Sequence, residues 1–299
     1  MEDRNYKMFK TLFIVGNGFD LAHGLKTTYK DFKNYLENSD YESQQFMQNL
    51  TNYITVRENW SDIEEALGLL DYENLCYDNS CYLVSYSDEK FRDSANHDFS
   101  YEIEKNLKTS AECSSYLRKW IEWTDKNASP IFNIPKDADY LSFNYTNTLE
   151  TVYGIPKNKI LYIHGDYSKE DDKLIFGHND INASGNVRLY KEDADVRQLD
   201  AEDLIKNYFN DTYKNPNNNI EAHTDFFEKL NSVEEIIIIG ESFKTDKDYF
   251  RFIKEKVSPN CFWKIAFHDT NDYRNVYSFA KELGLRNYCA FEFVKLCDN

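Results

Sequence analysis

The chain has 299 residues, 41% of them hydrophobic and 29% charged, with only 5 Pro and 10 Gly. That length supports one or two domains with a large core, and the scarcity of Pro and Gly excludes long flexible linkers. A formal net charge of −17 disfavours nucleic acid and anionic lipid as partners, because such a surface repels phosphate. The six cysteines, Cys76, Cys81, Cys113, Cys261, Cys289 and Cys297, include no Cys-x-x-Cys pair. No zinc site is therefore expected, and reduced thiols in a cytoplasmic protein are the simplest reading. The charged N-terminus and the lack of any apolar run near the ~18–20 residues of a membrane span predict neither a signal peptide nor a membrane helix.

The first element is an apolar, β-branched run, Thr11–Val15, which predicts a buried strand. It enters Gly16-Asn17-Gly18-Phe19-Asp20, a glycine turn opening a helix. Glycine permits close approach of a ligand, and helix N-terminal amides can hold a phosphate. The third glycine of the dinucleotide fingerprint is missing, so a tight turn without ligand is the competing reading. Asp20 and His23, three apart, share a helix face. They either read a ribose or a water, or they serve the helix dipole and a local contact.

From Asp31 to Pro135 no buried strand is evident. The segments Tyr41–Val56, Asp62–Asn74 and Phe91–Lys126 carry helical spacing, and 78–98 is a polar loop. A crossover needs only about a dozen residues, so residues 31–135 are expected to form an inserted helical subdomain, with the core made of 1–30 and 136–299. Trp60, Asp62 and Glu64 read as a helix start capped by Ser61, or as a lid.

The next strands expected are Tyr140–Phe143, Ile160–Ile163 and Leu174–Phe176. They end in Asn144-Tyr145-Thr146, His164-Gly165-Asp166 and Gly177-His178-Asn179. In open α/β sheets ligands sit beyond the carboxyl ends of the strands. Asn144 can bind a hydroxyl or a water without taking charge, and His164 can move a proton near neutral pH. Gly165 leaves room beside the imidazole; the competing reading is that His164 only satisfies backbone groups. His178 reads as a second site residue or a loop anchor. An acidic, Asn-rich stretch, 181–231, looks like a second insertion, with Asn215–Asn219 around Pro216 a turn or mobile loop. The strand Ile236–Ile239 ends in Gly240-Glu241-Ser242, where Ser242 is placed for a ligand hydroxyl or phosphate. Asp246 reads as the N-cap of the helix that follows. Strands Phe262–Phe267 and Ala290–Val294, with a helix at Tyr273–Leu283, complete the alternation. The fold expected is α/β, a doubly wound, mostly parallel Rossmann-like sheet with a helical insertion after the first strand.

The block Ile14-Val-Gly-Asn-Gly-Phe-Asp-Leu-Ala-His-Gly-Leu25, with Thr28-Tyr-Lys-Asp-Phe32, resembles the opening of the bacteriophage abortive infection AbiH family. Trp60-Ser-Asp-Ile-Glu-Glu-Ala-Leu67, Ser142-Phe-Asn-Tyr-Thr146, Ile163-His-Gly165, Phe176-Gly-His-Asn179 and Gly240-x-Ser242 extend the resemblance along nearly the whole chain. That family is distantly similar to sirtuin-like domains of bacterial defence systems. The resemblance implies an NAD site in which Asn144 and His164 support cleavage of the nicotinamide–ribose bond. Gly16, Asn17, Gly18, Phe19, Asp20, His23, Tyr145, Gly165, His178, Gly240 and Ser242 would surround the nucleotide. Two positions depart from the pattern: Thr146 stands where a Thr-Asn-Tyr-Asp segment has an acid, and Glu241 where Gly-His-Ser is common. These departures support the first alternative, a nucleotide-binding sensor without catalysis. A nuclease-type toxin is the second, resting on Asp166, Asp171 and Asp172 near His164. A homo-oligomer and a phage-derived trigger are both compatible with the resemblance, and no metal is expected.

Overall fold

The computed structural model describes residues 10–89, 91–124, 127–191 and 193–293. The charged N-terminal residues 1–9, Lys126, Val294 and Cys297 lie outside the described residues. The chain packs as two compact units. One comprises Met1–Thr27, Ile121–Leu174 and Pro216–Asn299; the other comprises Thr28–Trp120 and Ile175–Asn215. The expected insertion spanned 31–135, whereas the second unit also draws in a later stretch.

The first unit is built on one six-stranded sheet. Its strands are β1 (Thr11–Val15), β2 (Asp139–Ser142), β3 (Ile160–Tyr162), β4 (Glu235–Ile239), β5 (Phe262–Phe267) and β6 (Tyr288–Glu292), in the spatial order β3-β2-β1-β4-β5-β6. Every neighbouring pair is parallel, so the sheet is parallel throughout. Both faces are buried, which explains the near-continuous apolar runs. Leu12, Ile14, Leu141, Ile236, Ile238 and Ile265 feed one apolar cluster. Phe13, Val15, Tyr140, Ile239 and Ala266 feed another. The order reverses between β1 and β4, the switch point at which such sheets open a crevice beyond the strand ends.

One expected strand does not form. Residues Leu174–Phe176 are irregular, and β3 is the last strand of the sheet on that side. Leu174 is buried, so the run supplies apolar cover without a ladder, and the chain leaves the first unit there. The expected loop at Asn215–Asn219 is also corrected. Pro216 opens the helix Pro216–Ala222, because a proline at the first helical position gives up no intrahelical bond.

The second unit is helical. Its helices include Tyr29–Asn38, Tyr41–Leu50, Ile63–Leu67, Tyr72–Asp78 and Val196–Asp211, and most of Ala95–Trp123. Thr28 and Asp31 form a reciprocal capping box at the first of these. Stacked Phe46 and Tyr116, and Phe32 against Trp60 and Trp120, make its aromatic core. Trp60 is therefore core. Asp62, rather than Ser61, holds the N-cap position of the short helix, without a side-chain cap bond. Glu64 is buried in an ion pair with Lys214, Oε1 to Nζ 2.8 Å. No helix among the described residues is long and apolar enough to cross a membrane.

Candidate functional site

The carboxyl ends of β1 to β4 carry nearly all the polar residues singled out from the sequence. After β1 the chain turns through Gly16 into the helix Asn17–Ala22. The Gly16 amide donates to the Ile239 carbonyl at 3.0 Å and the Gly18 amide to that of Gly240 at 2.8 Å. A β-carbon on Gly16 would stand 2.4 Å from a Glu241 carboxylate oxygen, and one on Gly240 (φ +72°) 2.2 Å from the Phe19 nitrogen. The glycines thus let the turns after β1 and β4 lie against each other. The amides that hold a pyrophosphate in dinucleotide-binding turns are here given to β4 and its turn. Asn17 is exposed, and Phe19 is packed between Phe132 and Tyr153.

Asp20 points inward from this turn and is 1% exposed. Its Oδ2 accepts the Thr146 hydroxyl at 2.5 Å, and Thr146 is 3.0 Å from the Thr148 hydroxyl. Burial raises the Asp20 carboxyl to a pKa of about 6, against the lowering effect of hydrogen bonds from Thr146, Thr148 and Asn144. The Asp20 Oδ1 and Asn144 Oδ1 atoms are buried and have no hydrogen-bond partner among the described residues. Buried acceptor atoms without donors ask for a ligand or water that carries O–H or N–H groups.

His164 lies two residues beyond Tyr162, which pairs with Ser142 in the sheet register. Asn144 lies two residues beyond Ser142, so the two side chains leave neighbouring strands at the same level. They belong to different polar groups, however, and no hydrogen bond joins them. His164 is 3% exposed and Asp246 5%. Their Nε2 and Oδ1 atoms stand 3.0 Å apart, while neither atom makes an aligned hydrogen bond. The two atoms stand at hydrogen-bond distance, but the contact does not have the geometry of a hydrogen bond. Phe143, Tyr145 and Tyr249 wall the imidazole, with ring centroids 5.4, 6.2 and 6.0 Å away. Asn219 braces this wall: its Nδ2 donates to the Ile163 carbonyl at 2.5 Å and to the Tyr249 hydroxyl at 2.8 Å.

The remaining candidates sit elsewhere or serve the backbone. His23 contacts the Phe19 carbonyl and the Tyr153 hydroxyl, both at 2.7 Å, and packs edge-on against Phe132. Its helix partner Asp20 turns to Thr146 instead, and burial holds the His23 pKa below its ordinary value. His178 belongs to the second unit, where it bonds the Phe209 carbonyl at 3.0 Å and the Asp180 amide at 3.1 Å. That is the loop-anchor arrangement. Gly165 (φ +92°) turns the chain against Lys173 and Leu174. Ser242 is exposed, and its amide is taken by the Glu241 carboxylate at 2.8 Å. Asp166 is tied to Lys157 at 2.6 Å and to Ser168. Among the described residues no group of three or more His, Cys, Asp or Glu is placed to hold a metal.

Two participants escaped the sequence reading. Asp246 does occupy the N-cap position of the helix Lys247–Lys256, but its side chain makes no cap bond. An Asp ahead of an amphipathic helix looks the same in sequence whether it caps or turns away. Asn219 sat in an Asn-rich run that resembled a loop.

A family model described as bacteriophage abortive infection AbiH matches residues 12–267, from β1 to the end of β5. No curated protein matches the chain.

Proposed function

Because the chain belongs to the bacteriophage abortive infection AbiH family, and so to phage defence, we propose that it acts by hydrolysing the N-ribosidic bond of NAD or a related nucleotide. The observation that carries this reading is the pair of donor-seeking acceptors, Asp20 Oδ1 and Asn144 Oδ1, with a buried, carboxylate-paired His164 beyond the carboxyl end of the neighbouring strand. The resemblance to sirtuin-like domains agrees with these residue types.

The residues fit one end of such a substrate better than the other. Vicinal ribose hydroxyls would donate to Asn144 and Asp20. The pyrophosphate finds no free amides at Gly16 or Gly18, so recognition is assigned to the ribosyl–base end. In the reaction the C1′–N bond breaks and its electron pair leaves on the nicotinamide nitrogen. A water oxygen bonds C1′, and the water's proton goes to His164. The ionised Asp20 carboxylate offsets the positive charge that develops on the ribose. Asn144 holds the ribose hydroxyl or the water.

The test is nicotinamide release from NAD by the purified protein, with and without extract of phage-infected cells. Release is expected, with His164→Ala and Asn144→Ala each slowing it by about 10²–10⁴-fold. Intact NAD under every condition overturns the reading. Tight nucleotide binding without turnover would move it to a non-catalytic sensor, which the departures at Thr146 and Glu241 favour.

A further inference from the structure

We infer that Asp246 is a positioning residue that keeps the His164 proton on Nε2, so that Nδ1 is the nitrogen that accepts a proton in the reaction. The inference rests on the hydrolase reading for its chemistry, but its structural content stands apart from it. It begins with two buried groups on separate elements. His164 follows β3, and Asp246 precedes the helix Lys247–Lys256. The two side chains are 4% and 7% exposed, and Nε2 meets Oδ1 at 3.0 Å. The other Asp246 oxygen, Oδ2, accepts the Thr245 hydroxyl at 3.0 Å, which fixes the carboxylate plane.

An imidazole nitrogen this close to a buried carboxylate is favoured as the N–H, because a bare nitrogen would set two lone pairs against each other. The tautomer follows: Nε2 protonated, Nδ1 bare. A carboxylate beside one ring nitrogen and chemistry at the other is a general way of orienting a basic histidine. The surroundings of the ring are braced as well. Asn219 holds the Ile163 carbonyl and the Tyr249 hydroxyl, so the residue before His164 and one wall of its pocket share a single anchor.

The chain has six histidines, which makes the ring nitrogens readable. Protein labelled with [¹⁵N]histidine is examined by long-range ¹H–¹⁵N correlation at a pH where His164 is neutral, and His164→Gln identifies the resonance. The wild-type spectrum is expected to show Nε2 protonated and Nδ1 bare. Asp246→Asn should shift His164 toward the other tautomer, while a thermal melt confirms that the variant is folded. Nicotinamide release should fall by about 10³–10⁴-fold in the same variant. A wild-type His164 protonated on Nδ1 overturns the inference without any variant. So does a folded Asp246→Asn protein whose His164 tautomer is unchanged. If the tautomer responds as expected while NAD stays intact, the positioning role holds and the hydrolase reading falls. If NAD is cleaved and the tautomer ignores Asp246, the reverse is true.

Discussion

At the residue scale, Asp20 carries a cost that can be measured. Its folded pKa is raised to about 6 from an ordinary 3.8, so the native state holds the proton more tightly than the unfolded chain. The associated stability is fully present below about pH 4 and is lost as pH rises through about 6. The loss amounts to about 3 kcal/mol, at 1.36 kcal/mol for each pKa unit. The stability difference between wild type and Asp20→Asn, which cancels the other carboxylates, should therefore move in favour of the variant by about that amount between pH 4 and 7. Urea denaturation at a series of pH values reads it, and a difference that stays flat with pH would show that Asp20 is not held as described. The same carboxylate was noticed in the sequence as a helix-start acid. Its tie to Thr146, 126 positions away, depends on how β1 and β2 come together.

At the element scale, the helix Pro216–Ala222 shows how a short segment supports the site. Asn219 on it donates to a carbonyl at the end of β3 and to the hydroxyl of Tyr249. Tyr249 in turn lies on the helix that begins after Asp246. Asn219→Ala leaves both acceptors buried without their donor and is expected to cost about 1–3 kcal/mol, read by chemical denaturation. A neutral result would mean that water or a relaxed side chain takes the amide's place. The turns after β1 and β4 belong to the same scale. Gly16, Gly18 and Gly240 were legible as a turn signal, and that signal was genuine. Its cause is the close approach of two turns of the protein itself, which periodicity in one strand cannot reveal.

At the scale of the whole molecule, membership of the AbiH family places the chain in phage defence. Cells expressing it are expected to form fewer plaques when challenged with a sensitive phage. His164→Ala at matched protein level should restore plating to that of cells without the protein. Protection that survives this substitution would separate defence from the His164 site altogether. The net charge of −17 bears on solubility and on partners rather than on this chemistry.

By itself the sequence determined most of the strands, because a strand buried on both faces is largely apolar, and β1 and β4 are legible for that reason. It also determined the polar ends, since Asn144, His164 and Asp20 follow directly on such runs, and it carried the family resemblance. Only the tertiary structure decided what these ends meet. The three-residue run Leu174–Phe176 was as apolar as β3, yet it made no strand. Asp246 and Asp20 have ordinary helix-start contexts, and only the crossing of separate elements turns one toward His164 and the other toward Thr146. Side-chain partners far apart in the chain are set by strand order and by the packing of the following helices, and no local pattern encodes those.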